Sequence, residues 1–177
     1  MEAAIVEQLR RSDNIKLDQS LVNAPLIYNA AGRAALKNLY QSYIDIAQKA
    51  GIPFLMCTPT WRASKNRVYG STLRRSINAD AVEFMKQIRD SQNNSKHVIK
   101  IGGMIGCKND CYLPEEGLNI SDSELFHSWQ IEQLANAGVD FLIAETLPNV
   151  AEATGIAKAM AVSGIPYIIS FVINRNG

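Results

Sequence analysis

The chain has 177 residues, of which 47% are apolar and 20% are charged, and its formal net charge is +1. This length is enough for one domain with a sizeable core, and the near-neutral charge gives no field that would attract nucleic acid or an anionic membrane. No apolar run is long enough to span a bilayer, and the N-terminal MEAAIVEQLRR lacks the apolar core of a signal peptide. Because the three cysteines have no disulfide-framework spacing, we expect a cytoplasmic protein in a reducing compartment.

Helices and strands alternate along the chain. The first predicted helix carries Leu36, Tyr40 and Ile46 on one apolar stripe. A capping box from Ser121 to Glu124 predicts the start of a later helix. The predicted order is helix 32–50, strand 53–58, helix 78–90, strand 98–104, helix 121–138, strand 140–144, helix 149–160 and strand 167–173.

Three segments of the chain share one pattern. They are QKAGIPFLMCT from Gln48, ANAGVDFLIAE from Ala135 and AVSGIPYIISF from Ala161. Each predicts a helix that ends on a left-handed glycine and is followed at once by a strand. The strands are apolar throughout rather than alternating, which is typical of parallel strands covered on both faces.

Strict alternation of strands and helices favours a parallel α/β sheet in a single domain over residues 1–177. Two architectures fit this order: a flavodoxin-like open sheet, and part of a (β/α)8 TIM barrel. A complete barrel needs about 250 residues. In both architectures, ligands bind at the carboxyl ends of the parallel strands.

Polar residues and glycines follow the predicted strands at these carboxyl ends. Thr58 and Thr60 follow the first strand, Gly103 lies in the bend GGMIG, and Glu145 ends the run FLIA. Together they predict a pocket for a small molecule that carries an amine. A second interpretation makes Glu145 an acid near a helix N-terminus, where the helix dipole favours it, and the threonines turn residues.

The cysteines and the basic residues suggest no further site. Cys107 and Cys111 have a spacing that a metal permits, but two thiols without a second pair make a poor zinc site, so we expect free thiols. The stretch 61–79 contains basic residues and no acid. It is too short and too poor in aromatic residues to predict nucleic-acid binding, and a solvated loop is the simpler interpretation.

One family shares the order of these segments. AGVDFLIAETLPNVAEA, GIPYIISFVINRNG, YIDIAQKAGIPFLMCTPTWRAS and GGMIG together resemble the homocysteine S-methyltransferase family, whose zinc-dependent enzymes include betaine–homocysteine methyltransferase. The resemblance implies a partial (β/α)8 barrel. It also implies transfer of a methyl group to the sulfur of homocysteine, which zinc binds as the thiolate because a free thiol is a weak nucleophile.

The resemblance assigns roles to particular residues. Glu145 matches the glutamate that contacts the substrate amine, and Thr58 and Thr60 match a threonine-rich strand end that lines the substrate pocket. The family begins with a strand running into Asp-Gly-Gly-x-Gly-Thr, and Glu2 falls at the place of its aspartate. The zinc-binding cysteines of the family match nothing before Gly177, so we expect this chain alone to bind no zinc.

Two functional hypotheses follow from the sequence. In the first, the chain is the N-terminal part of a homocysteine S-methyltransferase barrel that binds a thiol amino acid and is inactive alone. In the second, it is a non-catalytic barrel fragment whose open sheet edges bind another chain. The expected protein partner is a second copy or a complementing C-terminal fragment.

Overall fold

A computed structural model describes residues 1–73, 75–92 and 97–173. The strands are β1 Phe54–Cys57, β2 Ile99–Gly106, β3 Phe141–Leu147 and β4 Tyr167–Phe171. The helices are α1 Ile5–Arg10, α2 Ala30–Ala50, α3 Lys65–Gly70, α4 Ile77–Asp90, α5 Ile120–Asn136 and α6 Val150–Val162. None of the helices in these ranges is long and apolar enough to cross a membrane.

The four strands form one parallel sheet in the order β1-β2-β3-β4. Each strand therefore pairs with the next strand along the chain, as in a (β/α)8 barrel. A flavodoxin-like sheet would reverse its strand order partway, so the described sheet excludes that alternative. The predicted α/β alternation is confirmed, and all four carboxyl ends lie at one rim.

The predicted glycine caps are confirmed at all three repeats. Gly51, Gly138 and Gly164 have φ angles of 68°, 80° and 69°. This left-handed conformation costs a residue with a side chain about 1–2 kcal/mol, whereas glycine adopts it freely. Each glycine ends a helix and directs the chain into the next strand.

Two details of the helices differ from the prediction. The N-cap of α5 is Asn119, whose side chain accepts a hydrogen bond from the backbone of Asp122, so the SDSE segment lies inside the helix. On α2, Ile46 is 63% exposed and Ile44 is buried in its place. The rest of the predicted stripe is confirmed, since Leu36 and Tyr40 are buried in the core.

The sheet separates two apolar layers. On its outer face, Ile101, Ile105 and Leu142 belong to the main core with the helices. On its inner face, Cys57, Phe141 and Ile143 form a small cluster of their own. This second layer corresponds to the interior of a barrel, where side chains fill the space between strands.

A buried acid ties α6 to the loop after β2. The carboxylate of Glu152 accepts hydrogen bonds from the backbone of Lys108 at 2.8 Å and of Leu118 at 3.2 Å, and lies 3.0 Å from Nε2 of His127. Burial alone would raise the pKa of Glu152, but these hydrogen bonds and the nearby imidazole lower it below its ordinary value. The loop 107–119 is thereby fixed against the outer helices.

We predict that Glu152→Ala lowers the free energy of unfolding by about 2–4 kcal/mol at pH 7, because it leaves buried donors without an acceptor. Urea denaturation measures this change. Glu132→Ala, an exposed site on α5, is the control and should change stability by less than about 0.5 kcal/mol. The difference in free energy of unfolding between the wild type and Glu152→Ala should disappear as the pH falls through the lowered pKa of Glu152. Equal stability of the two variants would contradict the prediction.

The free edge of β1 is capped by side chains at its carboxyl end. Oε1 of Glu2 accepts a hydrogen bond from the backbone N–H of Cys57 at 2.7 Å, and the Tyr40 hydroxyl donates to the carbonyl of Cys57 at 2.8 Å. These groups point away from β2 and would otherwise be unpaired. The N-terminal segment thus covers part of the edge where a preceding strand would pair.

Capping the strand places an acid in a nearly dry environment. Glu2 is 6% exposed, and its Oε2 has no hydrogen-bond partner among the described residues. Burial raises the pKa of Glu2 to about 7, despite the opposing hydrogen bonds from the backbone, and the nearby Glu145 adds to the rise. The folded protein therefore binds a proton at Glu2 more tightly than the unfolded chain does.

We predict that wild-type stability falls as the pH rises from about 4.5 to 7, by up to about 3 kcal/mol, because the buried Glu2 must ionise. Glu2→Gln should remove most of this slope, leaving the part that the raised pKa of Glu145 contributes, and be the more stable protein at pH 8.5, with little difference at pH 4.5. Chemical denaturation at both pH values measures the effect. Glu7→Gln, at an exposed site of α1, should keep the wild-type slope. A Glu2→Gln variant with an unchanged slope would refute this assignment.

The opposite edge of the sheet is open among the described residues. Tyr167, Ile168 and Phe171 of β4 are 43%, 40% and 44% exposed. Parallel strands are normally buried on both faces, so this strand lacks the cover that its apolar residues require.

Candidate functional site

A cavity of about 390 Å³ opens at the carboxyl ends of the strands. Three of the predicted site residues, Glu2, Thr58 and Glu145, line it together. Further lining residues that the sequence did not predict include Asn23, Tyr40, Trp61, Met104, Cys111, Tyr112 and Thr146. The cavity is where the fold places the ligand site of a parallel α/β protein.

Glu145 extends from the inner face of β3 toward this cavity. The residue is half-buried, and burial raises the pKa of its carboxyl group. No hydrogen bond or ion pair to this carboxylate occurs in the part of the chain that the structure describes. Because β3 continues to Leu147 and α6 begins at Val150, Glu145 belongs to the strand and not to the first turn of the helix.

A β-bulge directly after Glu145 shapes the rim. The pairing of β3 with β4 shifts between Ala144 and Leu147, and Thr146 has a φ of 57°. A left-handed β-branched residue is rare and costs about 1–3 kcal/mol. The bulge interrupts the alternation of the strand, so that Glu145 and Thr146 both line the cavity while Leu147 stays in the outer core.

The two threonines extend the contact between β1 and β2 beyond the end of β1. Met104 donates its backbone N–H to Oγ1 of Thr58 at 3.0 Å, and the Thr60 hydroxyl donates to the Met104 carbonyl at 2.7 Å. The two hydroxyl oxygens lie 2.7 Å apart, so the Thr58 proton serves this bond. Both hydroxyl protons are thus used within the protein, as expected of strand-end residues, and Thr60 does not line the cavity.

Gly103, which the sequence places among the candidate site residues, does not line this cavity. A Cβ atom at this position would lie 3.0 Å from Cβ of Leu134 and 3.1 Å from Cδ2 of Leu142. The residue therefore faces α5, where the helix packs closely on the sheet and leaves little space for a side chain. On the inner face, a Cβ at Gly106 would lie 2.4 Å from the indole nitrogen of Trp61.

The cavity contains acceptor oxygens without donors. Oε2 of Glu2 and Oδ1 of Asn23 are buried and unpartnered among the described residues, and the carboxylate of Glu145 adds two more oxygens. Asn23 is 3% exposed. Buried acceptors without a partner are costly, so this lining favours a ligand that brings N–H donors and positive charge. No motif in the sequence pointed to Asn23.

The described residues do not fit a zinc site. No three His, Cys, Asp or Glu side chains within them are grouped to hold a metal ion. The thiol of Cys107 donates a hydrogen bond to the carbonyl of Asn109 at 3.2 Å, and burial raises its pKa to about 11. Burial also raises the pKa of the Cys111 thiol. Both groups favour the neutral thiol, whereas zinc requires thiolates.

Where the structure describes it, the basic stretch after β1 makes hydrogen bonds within the protein. It includes the short helix α3, and Arg62 donates to the carbonyls of Cys107 and Asn109 at 3.0 and 2.9 Å. Arg67 donates to the carbonyl of Ser20 at 2.9 Å. Arg74 lies outside the described residues. The expected solvated loop is thus partly helical, and these arginines connect neighbouring loops.

A larger cavity of about 430 Å³ lies between α3, α4 and α5. Its described lining includes Tyr69, Arg75 and Trp129 but no carboxylate or thiol. It lies away from the strand ends, and none of its lining atoms is a buried polar group without a partner. The chemistry is therefore concentrated in the cavity at the rim.

Two solved structures of one enzyme are similar to this fold. The metallated form of the homocysteine methyltransferase MmuM from Escherichia coli matches with a TM-score of 0.74 and 17% identity, over 96% of this chain and 60% of that chain. Its oxidized form matches with a TM-score of 0.77 and 20% identity, over 97% of this chain and 61% of that one. The chain thus spans about 60% of the length of these structures.

Comparison with curated proteins gave no match. The family model of homocysteine S-methyltransferase matches residues 1–177. This match is consistent with the sequential parallel sheet and with the similarity to the fold of the E. coli structures. The chain therefore belongs to the homocysteine S-methyltransferase family, with the fold of part of a (β/α)8 barrel.

Proposed function

We propose that this chain forms the amino-acid-binding part of a homocysteine S-methyltransferase. The observation that carries the proposal is the unpartnered carboxylate of Glu145, half-buried at the mouth of a cavity of about 390 Å³ that Glu2 also lines. A primary ammonium supplies three N–H donors and one positive charge. It would satisfy acceptors that the described residues leave without donors.

The environment of the two acids suits a ligand with a single positive charge. Glu2 and Glu145 repel each other, which helps to raise the pKa of Glu2 to about 7. Near neutral pH the pair therefore carries less than two negative charges when no ligand is bound. A bound ammonium would favour ionisation of both acids, since an opposite charge lowers the pKa of a nearby carboxyl group.

The methyl-transfer step needs more than the described residues provide. In the family, zinc binds the homocysteine thiol and makes it a nucleophilic thiolate. The described residues do not fit such a site, so this chain holds the amino acid end of the substrate and another part of the barrel must supply the metal. Homocysteine would then accept a methyl group on sulfur and become methionine. We further propose that this takes place in the cytoplasm, where the free cysteines would stay reduced.

We expect the purified chain to bind L-homocysteine, and Glu145→Gln to weaken this binding at least about tenfold because the neutral amide cannot pair with the ammonium. Isothermal titration calorimetry under reducing conditions measures both affinities. Glu132→Gln on the exposed face of α5 is the matched control and should bind as the wild type does. A homocysteine analogue without the amino group, 4-mercaptobutanoic acid, should bind the wild type and Glu145→Gln equally weakly. Wild-type affinity of Glu145→Gln for homocysteine would contradict the proposal.

We also expect the chain alone to show no methyl transfer to homocysteine, even with zinc and betaine supplied, since the described residues do not fit a zinc site. Mass spectrometry of methionine formation measures this. Zinc-dependent turnover by the purified chain would overturn the assignment of metal chemistry to another part of the barrel.

The exposed strand β4 favours a second, compatible role in association. Three of its four apolar residues, Tyr167, Ile168 and Phe171, are each at least 40% exposed, and its outer edge has no partner strand in the described ranges. Such an edge readily pairs with another strand. We propose that it binds the edge strand of a complementing C-terminal barrel fragment, or of a second copy where that fragment is missing.

We predict that the isolated chain self-associates and that Ile168→Lys shifts it toward monomer, because a charge on the inner face of β4 opposes burial of that strand. Sedimentation velocity at several concentrations measures the association. Ile46→Lys, at the 63% exposed site on α2, is the matched control and should leave association unchanged. A wild-type chain that stays monomeric at high concentration would contradict this role of β4.

A further inference from the structure

We propose that Trp61 and Thr146 are positioning residues, and that the hydrogen bond between them holds the Glu145 carboxylate toward the cavity. This inference rests on the proposed function, since it concerns how the same site holds its ligand. Nε1 of Trp61 donates to Oγ1 of Thr146 at 3.0 Å, across 85 residues of sequence. We call the linked residues Trp61, Thr146 and Glu145 the rim latch.

The hydroxyl of Thr146 has two roles in the latch. Its oxygen accepts the indole N–H of Trp61, and its proton is donated to the backbone carbonyl of Glu145 at 2.6 Å. The same residue has the left-handed φ of 57° that forms the bulge in β3. One side chain thus fixes the peptide that follows Glu145 and connects it to the neighbouring loop.

Trp61 can act as an anchor because it is itself fixed. The backbone N–H of Gly106 donates to the Trp61 carbonyl at 3.0 Å, and the indole packs where a Cβ of Gly106 would lie. The guanidinium of Arg62 lies 4.7 Å from the centre of the indole ring. The latch therefore joins the carboxyl ends of β1, β2 and β3.

Glu145 depends on its backbone for support because no other group among the described residues holds its carboxylate. Its carboxylate makes no hydrogen bond or ion pair within the described residues. Its direction is set by the backbone of β3, where the bulge keeps both Glu145 and Thr146 at the cavity. Without the latch, regular alternation of the strand would turn Thr146 toward the helices and Leu147 toward the cavity. Glu145 would stay on the inner face with Phe141 and Ile143, but the peptide after it would lose the Thr146 hydroxyl and place the carboxylate less firmly at the cavity.

Three variants separate the hydrogen bonds from the shape of the residues. Thr146→Val keeps the β-branched shape and removes the hydroxyl, whereas Thr146→Ser keeps the hydroxyl and should restore the latch. Trp61→Phe keeps an aromatic ring and removes the N–H donor. Circular dichroism melting curves identify the variants that fold like the wild type. If Thr146→Val does not fold, Trp61→Phe and Thr146→Ser test whether the hydrogen bond positions Glu145.

The first measurement needs no ligand. We expect the ¹H–¹⁵N resonance of the Trp61 indole, assigned by its loss in Trp61→Phe, to shift with pH in step with the titration of the Glu145 carboxyl carbon. Glu145→Gln should remove that step. Thr146→Val should lose the coupled shift, and Thr146→Ser should keep it. An indole resonance that does not shift when Glu145 titrates, or a coupled shift that persists in Thr146→Val, would overturn the proposal.

The second measurement is the affinity for homocysteine. Thr146→Val and Trp61→Phe should each bind about fivefold more weakly than the wild type, and Thr146→Ser within about twofold of it. Undiminished binding in folded Thr146→Val and Trp61→Phe would overturn the latch. If the wild type binds no homocysteine, the proposed function fails, and the coupled indole shift alone then supports or refutes the latch.

Discussion

Parallel pairing of each strand with the next one along the chain is the constraint on which the rest of the structure depends. It places every carboxyl end at one rim, so that residues as far apart in sequence as Glu2, Thr58 and Glu145 line a single cavity. The three glycine caps make this arrangement possible, because each turns a helix directly into the next strand. The site is therefore a consequence of the sheet order and of no single motif.

At the rim formed by the carboxyl ends of the strands, several polar residues are in conformations or environments that lower the stability of the fold. Glu2 is buried with one oxygen unpaired, Asn23 is buried with an unpaired carbonyl, and Thr146 has a left-handed backbone. Each of these features costs stability, and all three residues line the same cavity. A core selected only for stability would replace such groups with apolar side chains. Two of the four buried polar atoms without a partner among the described residues belong to residues of this cavity, which is the physical argument that it suits a ligand rich in donors.

The sequence predicted the parts of the fold that depend on local chemistry. The glycine caps, the apolar strands and the start of the helix predicted at 149–160 follow from backbone preferences and burial, and the structure has them. The position of Glu145 near a strand end could also be predicted from the sequence, because an acid directly after four apolar residues is unusual. Ile46 was misplaced, since a helix with apolar residues on neighbouring rows does not reveal which row faces the sheet. The glycine-rich run predicts a ligand contact at Gly103, but whether a strand glycine faces the helices or the cavity depends on register. Asn23, Trp61 and Thr146 join the site through tertiary contacts that no local pattern encodes.

The central claim is that Glu145 receives the ammonium of a thiol amino acid at this rim. A crystal structure of the chain with bound L-homocysteine tests it most directly. The account predicts the amino nitrogen within hydrogen-bond distance of the Glu145 carboxylate, inside the cavity that Glu2 and Asn23 also line. Homocysteine bound with its amine in bulk solvent, or at a site away from the strand ends, would contradict the account.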